Sequence, residues 1–171
     1  MVLVGDSHLT EDSPGGITKL GPRLRRLGWT VVVKAQGGLD TRTAIKALTE
    51  LPRADWSVYS FGSNDAAPWK EVSLPEFESS SRQLLGMSRS EQIIVVGPPP
   101  VAENADGAWG RTNARLRRCS ECAALLSMEV NGLFISLMDL LSSDKDLVAD
   151  GLHLNDTGYE KLAAALLSAR P

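Results

Sequence analysis

Short apolar, often β-branched runs alternate along the chain with longer stretches in which apolar side chains recur at helical spacing. The runs predict strands at Val2–Val4, Thr30–Lys34, Trp56–Phe61, Gln92–Val96 and Leu133–Ile135. Helices are expected between them at Ile17–Leu27, Thr41–Leu51, Leu74–Gly86 and Trp109–Val130, with a final one at Asp156–Ala169. Strands that alternate with helices pair in parallel, because each connection must cross back over the sheet and the crossover covers one of its faces. Right-handed crossovers then favour a single-domain three-layer α/β/α sandwich around a five-stranded parallel sheet in the flavodoxin-like order 2-1-3-4-5. Neither a repeat nor a linker divides the sequence, so one domain is expected over residues 1–171.

Breaks in the pattern fall at Asp12–Gly16, Gly37–Gly38, Gly62–Pro68, Gly97–Gly110 and Ser142–Gly151. Four of these five follow a predicted strand or open near its carboxyl end, the edge at which open α/β sheets hold their ligands. Any chemistry carried by these loops would therefore converge on one edge of the sheet.

Composition narrows the class further. With 43% hydrophobic and 23% charged residues the 171-residue chain has the makeup of an ordinary globular domain, large enough to bury a core without staples. A formal charge of -3 argues against a nucleic-acid partner, which a basic field would serve. The run Arg23, Arg25, Arg26 reads as a solvated helix face. No apolar stretch has the length of a membrane span, so no membrane insertion is expected. Only six residues precede Ser7, too few for a signal peptide, so the chain reads as cytoplasmic, or as secreted with its signal already removed. Cys119 and Cys122 form a C-x-x-C inside a predicted helix, where they read as small packing residues in a reducing compartment. A redox pair would open a helix after a strand, and a structural zinc needs four ligands where the chain has only these two thiols and two histidines.

Four short segments carry candidate chemistry. Gly5-Asp6-Ser7-His8 follows the first strand, where glycine permits a sharp turn and the Ser7 hydroxyl would be exposed. Taken alone, such a serine is as readily a turn or cap residue. Asp150-Gly151-Leu152-His153 precedes the last helix. A serine hydroxyl attacks only when a base takes its proton, and a carboxylate beside the base fixes its tautomer and stabilises the imidazolium. Asp150 and His153 can supply both from one loop. His8, the other histidine, adjoins Ser7 on an extended segment, where neighbouring side chains diverge.

Gly62-Ser63-Asn64-Asp65 ends the third strand and offers the Asn64 amide as a donor for the negative charge that develops in acyl transfer, or else forms a plain Asn-Asp turn. Gln36-Gly37-Gly38-Leu39-Asp40-Thr41 follows the second strand, where paired glycines let a main-chain N–H approach a ligand. Asp40 or Thr41 could equally cap the next helix with no ligand involved.

In chain order, each at a strand end, these segments resemble the SGNH-hydrolase (GDSL esterase/lipase) family. Gly5-Asp6-Ser7 resembles its nucleophile motif, with His8 where leucine is common. Gly62-Ser63-Asn64-Asp65 is similar to its G-x-N-D motif, and Asp150-Gly151-Leu152-His153-Leu154-Asn155 to its D-x-x-H-x-N ending. The resemblance runs from Val2 to about Leu167. It departs at the glycine motif, where Leu39 stands in the place the family commonly gives to glycine, so either Gly38 or Leu39 could present the main-chain donor.

The resemblance implies Ser7 as nucleophile, His153 as general base and then acid, and Asp150 as its orienting carboxylate. It also implies an oxyanion hole of the Ser7 N–H, an N–H at Gly38 and the Asn64 side chain, with no metal and no organic cofactor. The expected partner is a small-molecule ester. The loops Glu11–Gly16, Ala66–Lys70 and Pro98–Gly110 would shape its pocket, and Asp6, Leu39, Asp65, Trp69 and Trp109 are candidates to touch it. The two indoles could stack on a sugar, line an acyl pocket, or simply pack. Loops this short predict a shallow site and short, acetyl-type acyl groups. An acyltransferase, thioesterase or lysophospholipase would use the same triad, and a non-catalytic binding module would keep only the fold.

Overall fold

The structure, a computed structural model, describes residues 1–11 and 16–169. Its sheet has five strands, β1 (Val2–Gly5), β2 (Val32–Ala35), β3 (Ala54–Ser60), β4 (Ser90–Val96) and β5 (Leu133–Ile135), in the order β2-β1-β3-β4-β5 and parallel throughout. The expected order is therefore the observed one. Helices α1 (Leu20–Arg26), α2 (Thr41–Ala47), α3 (Leu74–Gly86), α4 (Asn113–Glu129), α5 (Leu137–Leu140) and α6 (Asp156–Ser168) cover the two faces.

Side chains alternate between the faces with the period of two that a strand imposes. Val2, Val4, Tyr59 and Val95 point to a layer that includes Ala44, Phe77, Leu84, Leu116, Ala123 and Leu126 from α2, α3 and α4. Leu3, Val58, Ile94 and Val96 point the other way, into Leu20, Leu24, Leu137, Tyr159, Leu162 and Leu166 from α1, α5 and α6. The central strands are thus buried on both faces, which is why they read as continuous apolar runs.

Boundaries move where local chemistry outweighs periodicity. The fourth helix begins at Asn113, not Trp109, because Trp109 and Gly110 both take left-handed backbone (φ 47 and 70) and Thr112 then caps, its side chain accepting from the Arg115 N–H. Ile17 and Thr18 lie outside α1, which Lys19 opens. The second helix stops at Ala47, three residues after its last buried side chain, Ala44. The second strand starts at Val32 because it is an edge strand with half-exposed sides, where apolar alternation is weak. The single turn α5 gave no periodic signal. Arg23 is not simply solvated, since it ties α1 to α6 through Asp156 and Glu160. Cys119 is buried and Cys122 half-buried, both within α4. Among the described residues no helix is long and apolar enough to cross a membrane.

The chain segment before α6 is held by Asp146, whose side chain is fully buried. Its Oδ2 accepts from the Ser142 N–H and the Lys161 ammonium, both at 2.7 Å, and its carbonyl accepts from the Asn155 N–H at 2.9 Å. Burial pushes the carboxyl up, but the bonds from Lys161 and Ser142 outweigh it and hold the pKa below the ordinary value. A carboxylate with a depressed folded pKa contributes stability that is present above its unfolded pKa, about 3.9, and is lost as pH falls through the folded value. Asp146→Asn should therefore be less stable than the parent at pH 7, by about 1–3 kcal/mol for charge-assisted bonds, and should converge on it at pH 2. Urea melts at the two pH values measure this, and a gap that persisted at pH 2 would contradict it.

Candidate active site

The Gly5 Cα packs so closely between β3 and the next turn that an added Cβ would lie 2.6 Å from the Ser60 carbonyl oxygen and 2.9 Å from Leu9 Cδ1. Only glycine fits there. Beyond it the chain turns: Asp6 Oδ1 accepts the His8 N–H at 3.0 Å and the Asp6 carbonyl accepts the Leu9 N–H at 3.1 Å. The Ser7 carbonyl is clamped from the opposite side by the Lys19 ammonium at 2.6 Å and the Thr10 hydroxyl at 3.0 Å. With its main chain pinned, Ser7 presents its half-buried hydroxyl at the carboxyl edge of the sheet.

His153 reaches that hydroxyl from the far end of the chain, with Nε2 3.0 Å from Ser7 Oγ. Its Nδ1 lies 2.7 Å from Asp150 Oδ2. Asp150 Oδ1 accepts the main-chain N–H groups of Leu152 and His153 at 2.8 and 2.9 Å, so the carboxylate also organises the loop that carries its partner. Burial raises the Asp150 pKa, and these bonds more than offset it, leaving the carboxyl below its ordinary value and ionised. The His153 and Asp150 side chains keep 35% and 39% of their exposure, which leaves the trio open to water.

The Pro98–Gly110 loop braces the acid side. The Ala102 N–H donates to the Gly151 carbonyl at 2.9 Å, and Gly151 itself takes left-handed backbone (φ 71). Gly107 approaches so closely that an added Cβ would overlap the Asp150 carbonyl oxygen and come within 2.8 Å of its Cβ.

Around Ser7 the other candidates separate into two groups. Gly37 is the nearest part of the glycine segment, a built Cβ lying 3.9 Å from Ser7 Cβ, and Gly38 takes left-handed backbone (φ 78). The Gly38 and Leu39 carbonyls are engaged by Lys70 Nζ at 2.9 Å and Asn64 Nδ2 at 3.0 Å. Among the described residues the N–H groups of Ser7, Gly38 and Leu39 have no protein acceptor. Asn64 lies at the same edge, its Nδ2 also 3.4 Å from Asp6 Oδ2.

Asp6, Leu39 and Asp65 are 1%, 6% and 1% exposed, so their side chains offer a ligand little surface. Asp65 Oδ1 accepts the Thr41 N–H at 2.9 Å and the Thr41 hydroxyl at 2.5 Å, which anchors the start of α2. Burial raises the Asp65 pKa and pushes that of Asp6 up to about 7, the His8 N–H pulling against it and the Asp65 charge adding to it. His8 is buried with Nε2 3.3 Å from Ser63 Oγ. Burial, then the charges of His153, Lys19 and Arg111, depress its pKa to about 3, so it stays neutral, its ring centroid 5.5 Å from that of His153.

Trp69 and Trp109 are 51% and 62% exposed, so they are not packing residues. Their rings meet edge to face with centroids 5.9 Å apart, and both lie against the guanidinium of Arg111, 4.8 and 6.0 Å from it. Residues 12–15, most of the Glu11–Gly16 loop expected to shape the pocket, lie outside the described residues. Lys19, Lys70 and Arg111 were not anticipated from sequence. Each acts on a residue at least a dozen positions away, which no local pattern encodes.

A family model described as "GDSL-like Lipase/Acylhydrolase family" matches residues 3–161. No curated protein sequence matches the chain. Among solved structures, a lipase/acylhydrolase from Enterococcus faecalis superposes with a TM-score of 0.78 at 24% identity, covering 98% of this chain and 92% of that one. An acetylxylan esterase from Geobacillus stearothermophilus gives 0.73 at 20% identity, with 98% and 91% covered. A carbohydrate acetylesterase from Sinorhizobium meliloti gives 0.73 at 20%, with 98% and 95% covered. At these identities the likeness is one of fold.

The brace at Gly107 can be tested directly. Gly107→Ala should push Asp150 out of line with His153 while leaving the sheet intact. The downfield proton resonance expected of an imidazole Nδ1–H held by a carboxylate should weaken or vanish in the variant, with far-ultraviolet circular dichroism unchanged. An unaltered resonance would show that the loop does not hold Asp150.

Proposed function

Since the chain belongs to the GDSL-like lipase/acylhydrolase family, we propose that it hydrolyses carboxylic esters through a Ser7–His153–Asp150 triad. The observation that carries this reading is the unbroken line of contacts from Ser7 Oγ through His153 Nε2 and Nδ1 to Asp150 Oδ2, at 3.0 and 2.7 Å. His153 Nε2 takes the Ser7 proton as Oγ bonds to the ester carbonyl carbon, and the carbonyl π electrons move to the oxygen. That oxyanion is met by the Ser7 N–H, an N–H at Gly38 and Asn64 Nδ2. Collapse breaks the bond to the alkoxy oxygen, which leaves as the alcohol with the proton from His153. Water then attacks the acyl-enzyme by the same route, returning the proton to Ser7 and releasing the acid. Asp150, kept ionised by its hydrogen bonds, balances the imidazolium formed at each step.

Openness to water favours hydrolysis over transfer to another alcohol, and short loops favour small acyl groups. The exposed Trp69–Trp109 pair is the candidate surface for the alcohol portion. Indole faces stack on the C–H face of a sugar, and the carbohydrate acetylesterase from Sinorhizobium meliloti shares the fold, so acetylated sugars are the proposed substrate class.

Ser7→Ala should lower kcat on p-nitrophenyl acetate by at least ~10⁴-fold with circular dichroism unchanged. Near-parental turnover would end the triad assignment. Substituting both Trp69 and Trp109 by alanine should lower kcat/KM for a peracetylated xyloside about tenfold, since stacking contacts carry of order 1–2 kcal/mol, while turnover of ethyl acetate, which has no ring, stays within about twofold. Equal losses on the two esters would remove the indoles from substrate binding.

A further inference from the structure

Beneath the proposed oxyanion hole lies a cation with no part in the triad chemistry. Arg111 is 2% exposed, among the most deeply buried large side chains of the molecule. Its Nε donates to the Ser63 carbonyl at 2.7 Å, Nη1 to the Ala108 carbonyl at 3.2 Å and Nη2 to Asn64 Oδ1 at 3.1 Å. Burying a guanidinium is costly unless its donors are met. Here two main-chain carbonyls and one amide oxygen take three of its five N–H donors, one on each nitrogen. The indoles of Trp69 and Trp109 close the outer side.

The contact to Asn64 decides something that packing alone does not. A side-chain amide can flip, exchanging its oxygen for its NH₂ group with little change in shape. Beside Arg111 the flipped form would set donor against donor, so Oδ1 is held inward. Nδ2 therefore faces the Leu39 carbonyl at 3.0 Å and Asp6 Oδ2 at 3.4 Å. The second contact is long and therefore weak for an N–H···O bond, so that hydrogen is the one a substrate oxygen could share. Drawing charge toward Oδ1 also makes the Nδ2 hydrogens better donors, as in other polarised hydrogen-bond chains.

We propose that Arg111 is a positioning residue for ester hydrolysis, fixing Asn64 in the amide orientation that presents an N–H to the oxyanion and strengthening that N–H through Oδ1. The proposal rests on the reading of Asn64 as an oxyanion donor. A purely structural Arg111 would instead tie the Ser63 turn to the Ala108 turn and leave the rate untouched once the protein is folded.

A double-mutant cycle separates these, with ethyl acetate as substrate so that loss of indole stacking does not register. Asn64→Ala alone should lower kcat by ~10²–10³-fold. Arg111→Met should lower kcat by ~30–300-fold, less than Asn64→Ala because it removes orientation and polarisation but not the amide. KM should stay within about threefold in each case, since the loss is of transition-state binding. Added to Asn64→Ala, Arg111→Met should cost less than about threefold more, because residues acting through one another are not additive. Arg111→Lys, which keeps the charge but loses the planar fork, should recover part of the loss. It serves as the test variant, alone and with Asn64→Ala, if Arg111→Met does not fold. Losses that multiply in the double variant, or a folded Arg111 variant with the parent's kcat, would overturn the proposal. A parental kcat in Asn64→Ala would instead overturn the reading of Asn64 on which it rests.

Discussion

The close approach of β1 to β3 at Gly5 is the contact on which the site depends. Because the Ser60 carbonyl oxygen occupies the space a Cβ would need, the chain can leave the sheet there only as glycine, and it does so into a turn that Asp6 closes on the His8 N–H. That turn sets Ser7 outward between the carboxyl ends of β2 and β3. The glycine segment after β2 and the Asn64 turn after β3 flank it as a result of strand order. His153 arrives through α6, which packs on the same face as α1 and reaches the opening turn through Tyr159, whose hydroxyl donates to the His8 carbonyl at 2.8 Å. A sheet that began with β1 at an edge would bring only one of these flanking loops to the serine.

Charge is layered beneath this edge. Asp6, Asp65, Arg111 and Lys19 are all buried, and their hydrogen bonds go largely to the main chain and side chains of the segments that present the site's donors. The ionisable groups nearest the surface, Asp150 and His153, remain partly solvated. The buried groups hold loop positions, and in the proposed hydrolysis the exposed pair handles protons. Low dielectric strengthens the first task, while contact with water suits the second, since water is itself a reactant in deacylation.

Much of this was legible in the chain. Double-faced burial wrote the inner strands as unbroken apolar runs, so β1, β3, β4 and the sheet order could be inferred, and D-x-x-H and G-x-N-D marked the loops that converge. The edge strand β2 reads two residues early, its sides being only half enclosed, and α5, four residues long, is too short to show a helical period. Asp6 and Asp65 were legible as members of motifs but not in their positions, since a carboxylate beside a nucleophile and one buried under it look alike in a string of letters. Arg111 left no trace. Two of its three hydrogen-bond partners, Ser63 and Asn64, are distant in sequence, and nothing in the local segment Gly110-Arg111-Thr112 distinguishes it from a solvated helix approach.

Trp109 is a non-glycine residue in left-handed backbone, lodged between the Gly107 contact to Asp150 and the Arg111 contact to Asn64. One short stretch of chain therefore sets the proposed acid member, the proposed oxyanion side and the outer aromatic surface together. Such a stretch behaves as a mechanical linkage with no slack. A change in its length or in the handedness of its middle would reach both ends of the proposed catalytic apparatus at once. New substrate preferences in this scaffold should therefore arise more readily by exchange of side chains on the loop than by insertion into it.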